Sequence, residues 1–216
     1  MTAQLASRTQ GRVVGVDRSG SMVRLAAREY PPSTHANLAF CWMDAARLGF
    51  SGGFNLIFSN ATLHWVPDHP AVLAGVRRAL RPGGRLIFSM GGAGNASEII
   101  AALDRLISRH PWKTYFNEFA FPYSFYSPGD YRRWLPEAGL TPERVELVEK
   151  DMLQAGPEGL AGWIRTTWLP YLARVPEAQH ESFTAAVVNA YLEQYPPDAQ
   201  GNVHVKMVRL EVEARG

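Results

Sequence analysis

The sequence predicts an α/β fold, a mostly parallel sheet with helices on both faces. Three observations carry this reading. Short apolar runs alternate with segments of helical period over the first two-thirds of the chain. The early runs are too apolar for a sheet with one wet face, so both faces need cover. With 216 residues, 46% hydrophobic and 19% charged, the chain has material for one large core and is not a disordered tail.

The elements follow in order. Arg12–Val16 is a β-branched run ending at Asp17, and Ser19 is placed to cap a helix through about Arg28, stopped by Pro31-Pro32. Asn37–Trp42 and Phe54–Phe58 read as the second and third strands, the latter set off by Gly52-Gly53. Asp68 caps the next helix, whose Val72, Leu73, Val76 and Leu80 share one buried face. Pro82-Gly83-Gly84 is expected to end it, with a fourth strand over Arg85–Met90. Ile99, Ile100, Leu103, Leu106 and Ile107 form another helical stripe. The segment from His110 to Tyr126 is dense in aromatic residues, too much so for a loose linker. Ser127 and Pro128 open a helix that Gly139 ends, and Arg144–Lys150 reads as a strand. Two helices are expected near Leu160–Leu172 and Glu177–Tyr195, then a last strand from Val203 to about Ala214.

Composition excludes several classes. A net charge of +2 without a basic run argues against a nucleic-acid surface. One cysteine, Cys41, excludes a disulfide framework and any multi-cysteine metal site, and suits a reducing compartment. The first residues lack a signal-peptide apolar core, and no run approaches the roughly 18 apolar residues that span a bilayer. The expectation is a soluble, cytoplasmic monomer with neither nucleic acid nor membrane as partner.

In parallel sheets ligands collect beyond the carboxyl ends of the strands, and three such ends here are polar or small. Asp17 follows the first strand, where a carboxylate can accept both hydroxyls of a ribose; turn formation and helix capping are its competing use. Asp44-Ala45 is able to meet an adenine amino group, with the same alternative. Ser59–Trp65 sets polar groups beside an imidazole and an indole, and His64 is a candidate base or ligand group unless it is a packed bystander. Gly91-Gly92-Ala93-Gly94 invites a dinucleotide reading, but Ser97 stands where the pattern needs Gly or Ala, so the loop reads as a strand-to-helix connection. His64 and His69 have no further ligand at metal spacing, so no metal site is expected. The aromatic segment reads as a lid or a cover for a sheet edge. Trp163 and Trp168 read as core, and Arg165 and Arg174 as surface groups in the absence of an anion.

Together Gly15–Met22, Asp44-Ala45, Phe54–Trp65 and the Leu-Arg-Pro-Gly-Gly turn before Arg85–Phe88 resemble the class I S-adenosylmethionine-dependent methyltransferases. Phe121–Pro128, Trp134–Leu140, Trp163–Tyr171 and Tyr195–Pro197 are similar to the trans-aconitate 2-methyltransferases within that class. The resemblance implies a Rossmann-like sheet and S-adenosyl-L-methionine as cofactor. It implies that Asp17 holds the ribose, Met22 packs near the adenine, and Asp44 and Ala45 meet the adenine edge. Asn60, Ala61 and His64 would line the methionine end, while Trp65 and the aromatic segment would face the acceptor.

The expected division is a cofactor-binding core over residues 1–109 and, over 110–216, the aromatic segment, substrate-side helices and last two strands of the same domain. The family's sheet also has a first strand with an acidic, glycine-rich turn, and Thr2–Ala6 matches the helix after it. The expectation is therefore an N-terminally shortened form without that strand, binding the cofactor weakly. Arg12–Val16 and Phe54–Phe58 would then leave a gap of about 4.8 Å on each side or be forced to pair directly. The expected reaction is O-methylation of a small carboxylic acid, with Tyr126, Trp163 and Arg165 as substrate-binding residues and Arg165 pairing a non-reacting carboxylate. A carboxylate acceptor needs no base, whereas a hydroxyl or carbon acid would need His64 as the catalytic base. The alternative function is a catalytically inactive fragment or a methyltransferase-like binding protein.

Overall fold

The computed structural model describes all 216 residues. Strand β1 (Val13–Asp17) owes its extension to three valines, and pairs in parallel with β2 (Leu38–Trp42), from Val13 opposite Leu38 to Asp17 opposite Trp42. Helix α1 (Thr2–Ala6) packs closely on β1: a Cβ at Gly15 would lie 2.8 Å from the Phe40 ring and 3.1 Å from Thr2 Cγ2. Helix α2 (Gly20–Glu29) begins where expected, with Ser19 Oγ accepting the Met22 N–H at 3.3 Å.

After a single 3-10 turn (Ala45–Arg47) come β3 (Phe54–Asn60), a second 3-10 turn (Leu63–Trp65) and α3 (His69–Ala79). Asp68 caps α3 as expected, accepting the Ala71 N–H at 3.0 Å, and Val72, Leu73 and Val76 are buried. The remaining strands and α-helices are β4 (Leu80–Gly91), α4 (Ser97–Ile107), α5 (Pro128–Glu137), β5 (Thr141–Gln154), α6 (Gly156–Thr167), α7 (Leu169–Leu172), α8 (His180–Leu192) and β6 (Val203–Arg215). The second sheet has the order β3-β4-β6-β5. Backbone bonds between Gly83/Gly84 and Gly216, and from Gly92 N–H to Val208 O, run β6 antiparallel to β4.

Two compact units emerge. One comprises Met1–Phe88, Gly129–Val145 and Val212–Gly216; the other comprises Ser89–Pro128 and Glu146–Glu211. Contacts therefore do not follow the expected boundary at residue 109, because β4, β5 and β6 each run from one unit into the other. In the first unit Arg77 Nε donates to Gly139 O at 3.1 Å, tying α3 to the end of α5. In the second unit a continuous core joins α4, α6, α7 and α8 to Val203 and Val205 of β6.

Several expectations need correction. Strand β4 starts at Leu80 instead of Arg85, since Gly83 and Gly84 bond to Gly216 in place of a loop. The helix expected over Leu160–Leu172 starts at Gly156 and breaks at Trp168. Pro170 has no N–H to extend the hydrogen-bond ladder of α6, and it is tolerated in the first turn of the short helix that starts at Leu169. The aromatic segment is core as much as cover: Trp112, Phe116 and Tyr123 are each 8% exposed. Phe116 stacks on Phe183 at 5.6 Å, and Phe119 lies 4.6 Å from Tyr171. Arg174 holds the segment from behind, donating to the carbonyls of Tyr115 at 3.2 Å and Asn117 at 2.7 Å.

Of the two outcomes expected for β1 and β3, direct pairing does not occur. β1 and β2 form a sheet of their own, and β3 is an edge of the other. Their apolar side chains are consequently less covered than the sequence predicts, with Val16 37%, Leu56 48% and Phe58 41% exposed. No helix is long and apolar enough to cross a membrane.

Candidate active site

The carboxyl ends of β1 and β2 lie side by side in the first unit. Asp17 ends β1 and is exposed; its Oδ1 accepts the Ser19 N–H at 2.7 Å, while no protein donor reaches Oδ2. The turn below is fastened twice to β2. Trp42 Nε1 donates to Arg18 O at 2.9 Å, and Met43 N–H donates to Asp17 O at 3.0 Å. A carboxylate with an open oxygen thus stands at the N-terminal end of α2, where the helix dipole favours its negative charge. Met22, 52% exposed, projects from the first turn of that helix, and Val16 and Trp42 add apolar surface at the same strand ends. Asp44 Oδ1 accepts the Ala46 N–H at 2.9 Å, capping the short turn that begins with Ala45. The competing structural uses are therefore real, turn formation at Asp17 and capping at Asp44, and each carboxylate keeps a second oxygen.

The end of β3 supplies the other group in this unit. Asn60 is exposed, and Ala61 sits at φ 54°, a left-handed conformation that an alanine adopts at a cost of about 1–2 kcal/mol. That kink turns the chain from the strand into the Leu63–Trp65 turn. His64 is half-buried with its ring centroid 5.8 Å from that of Trp65, and Trp65 is 38% exposed. Burial, and then the charge of His69, lower the His64 pKa from its ordinary value, so the imidazole is neutral at neutral pH. A neutral imidazole is able to accept a proton or a hydrogen bond.

Tyr126, Trp163 and Arg165 belong to the second unit. Tyr126 O accepts the Ala93 N–H at 2.9 Å, which anchors the end of the aromatic segment. Trp163 is partly buried and meets Trp168 edge-on at 5.7 Å. Arg165 is not an unpaired cation: its Nη1 lies 3.0 Å from Glu181 Oε2. The glycine loop after β4 packs as a connection. A Cβ at Gly92 would meet Leu147 Cδ2 at 2.7 Å and Leu210 Cβ at 2.8 Å, and Asn95 Oδ1 accepts the Val208 N–H at 2.9 Å.

Sequence reasoning missed one group near His64. His69, weighed only as a metal ligand, is 1% exposed and bonds to both Leu63 and Tyr131. A histidine directly after a helix cap, close behind a polar strand end, was the available signal.

Residues 1–88 match the family model described as a methyltransferase domain. Over 209 residues the chain is 31% identical to the trans-aconitate 2-methyltransferase of Methylobacterium nodulans, covering 95% of this chain and 78% of that protein. It is 35% identical over 158 residues to the uncharacterized methyltransferase C70.08c of Schizosaccharomyces pombe, covering 71% of this chain and spanning only 59% of that relative's length. Among solved structures, a SAM-dependent methyltransferase from Methanosarcina mazei shares the fold, with a TM-score of 0.57 at 16% identity over 100% of this chain and 86% of that one.

Proposed function

The chain belongs to the class I S-adenosylmethionine-dependent methyltransferases, and from that premise we propose that it methylates a carboxylate oxygen of a small organic acid such as trans-aconitate. The observation that carries the substrate class is the likeness to a trans-aconitate 2-methyltransferase along 95% of the chain.

The residues at the ends of β1 and β2 fit the adenosine half of the cofactor. Asp17 Oδ2 takes no protein hydrogen bond and is open to ribose hydroxyls, and the exposed Met22 offers apolar contact to the base. Asp44 and Ala45 would meet the adenine edge; Asn60, Ala61 and His64 would line the methionine end. Bound S-adenosylmethionine supplies an electrophilic sulfonium methyl. The protein's part is then mainly alignment of the acceptor. A carboxylic acid with a pKa near 4 is ionised at neutral pH, so no residue has to remove a proton. His64, neutral by burial, contributes contact and leaves no positive charge beside the sulfonium. In the first unit Trp65 would face the acceptor; Tyr126 and Trp163 are the proposed acceptor contacts of the second unit. Arg165 would exchange Glu181 for a substrate carboxylate, a cheap exchange because exposed ion pairs of this kind contribute about 0–1 kcal/mol.

The test is incubation with S-adenosylmethionine and trans-aconitate, with mass spectrometry for the monomethyl ester. Ester formation that depends on the protein supports the proposal; turnover only of hydroxyl or amine acceptors overturns the substrate class. A second reading, a non-catalytic binding protein on this fold, draws on one observation: β1 and β3 lie in separate sheets. Calorimetric binding of S-adenosylhomocysteine with no turnover of any small acid would select it.

A further inference from the structure

We propose that His69 is a positioning residue that holds the turn carrying His64 and Trp65, one ring nitrogen bonding to the Leu63 carbonyl of that turn and the other to the Tyr131 hydroxyl. The inference rests on the reading that this turn lines the methyl-transfer site. His69 Nε2 lies 2.9 Å from Leu63 O, and a carbonyl only accepts, so Nε2 carries the ring proton. Nδ1 is then an acceptor, and Tyr131 Oη donates to it at 2.7 Å. The same Leu63 carbonyl accepts the Val66 N–H at 2.8 Å, so the oxygen that closes the turn takes two donors. Leu63, His69 and Tyr131 are 3%, 1% and 0% exposed, which removes water as a substitute partner.

The arrangement joins three elements of one unit. His69 opens α3 directly after its cap Asp68, Tyr131 lies on α5, and Leu63 is the residue before His64. The imidazole also meets the rings of Tyr131 and Trp134 edge-on at 5.5 and 6.3 Å, which fixes its plane. A buried imidazole N–H must find an acceptor, and here that acceptor is the carbonyl that closes the turn. Here the proton sits one residue from the imidazole that faces the reaction.

Three variants separate positioning from packing. His69→Gln keeps an amide donor near the Nε2 position, His69→Leu keeps volume without a donor, and Tyr131→Phe removes only the hydroxyl. The measurement is backbone amide hydrogen exchange of Trp65 and Val66, referenced to Leu86 and Phe88 of β4. In His69→Leu the two turn amides are expected to exchange about tenfold faster relative to the strand amides, with His69→Gln within about threefold of wild type and Tyr131→Phe between them. Acceleration that is equal at all four amides, or absent, overturns the proposal. If His69→Leu does not fold, Tyr131→Phe decides by the same comparison: local acceleration supports positioning and uniform acceleration refutes it. A wild-type protein that methylates no acid overturns the proposed function and leaves the exchange result to judge His69 alone.

Discussion

Asp17 commits one carboxylate oxygen to the Ser19 N–H and leaves the other open, so its structural and binding uses can be separated. Asp17→Asn keeps an oxygen for Ser19 while removing the charge and one acceptor. A hydrogen bond to a charged group contributes about 1.5–3 kcal/mol, so S-adenosylhomocysteine should bind roughly 10- to 100-fold more weakly by calorimetry, with melting little changed. Equal affinity in the variant would remove Asp17 from the nucleoside site. His64 yields a second prediction. Its pKa is lowered by burial, so if it served as a base the active neutral form would persist to pH values below the ordinary 6.5, and rate would fall only beneath that. With a carboxylate acceptor the pH–rate profile is expected to stay flat across that range in both wild type and His64→Ala. An acid limb present in wild type and lost in the variant would instead make His64 a base and exclude a carboxylate nucleophile.

At the level of elements, the loop between β4 and α4 invites a nucleotide reading from its glycines, and the structure assigns Gly91 and Gly92 to packing and Gly94 to a left-handed turn. Gly92→Ala would push a Cβ to within 2.8 Å of Leu210 Cβ and 3.0 Å of its backbone nitrogen. Urea unfolding should show a loss of about 1–3 kcal/mol, with the affinity for S-adenosylhomocysteine unchanged. A loss of affinity without a loss of stability would restore a ligand role to the loop. The contrast marks what the sequence makes legible. Periodicity and capping report on an element's own residues, so β1, β2 and β3 and the caps Ser19 and Asp68 were readable in place. Asp17 and Asp44 were readable as strand-end acids, with turn formation as the stated alternative. Partners distant in sequence were not. Tyr131 is 62 positions from His69, and no local pattern announces that pair. Nor does the glycine turn before β4 announce Gly216 as its hydrogen-bond partner, which is why that strand begins five residues earlier than expected, at Leu80 instead of Arg85.

For the whole molecule, titration of histidines sets opposing demands on the fold. His69 and His64 both have lowered pKa values, burial being the larger cause in each. For His69, bonds to the Leu63 and Val66 carbonyls and the nearby Asp68 charge oppose burial without overcoming it. A group depressed on folding stabilises fully above its unfolded value, near 6.5, and that contribution is lost as pH falls toward the folded value. His204 has the opposite sign. Its ring bonds to Asp151 at 2.6 Å and Asp198 at 3.1 Å and its pKa is raised, so its contribution is complete below 6.5 and is lost as pH rises through the folded value. The His204 cluster is exposed and therefore screened by salt, whereas His69 is 1% exposed and is not. The buried pair should dominate. The melting temperature is expected to fall between about pH 7 and pH 5 and to fall more steeply at high salt, where the compensating gain at His204 is weakened. His69→Gln, which cannot titrate, should flatten that slope while leaving the salt effect in place. Thermal melts of the two proteins at three pH values and two salt concentrations decide the matter, and parallel slopes in wild type and variant would show that His69 protonation does not limit the fold in acid.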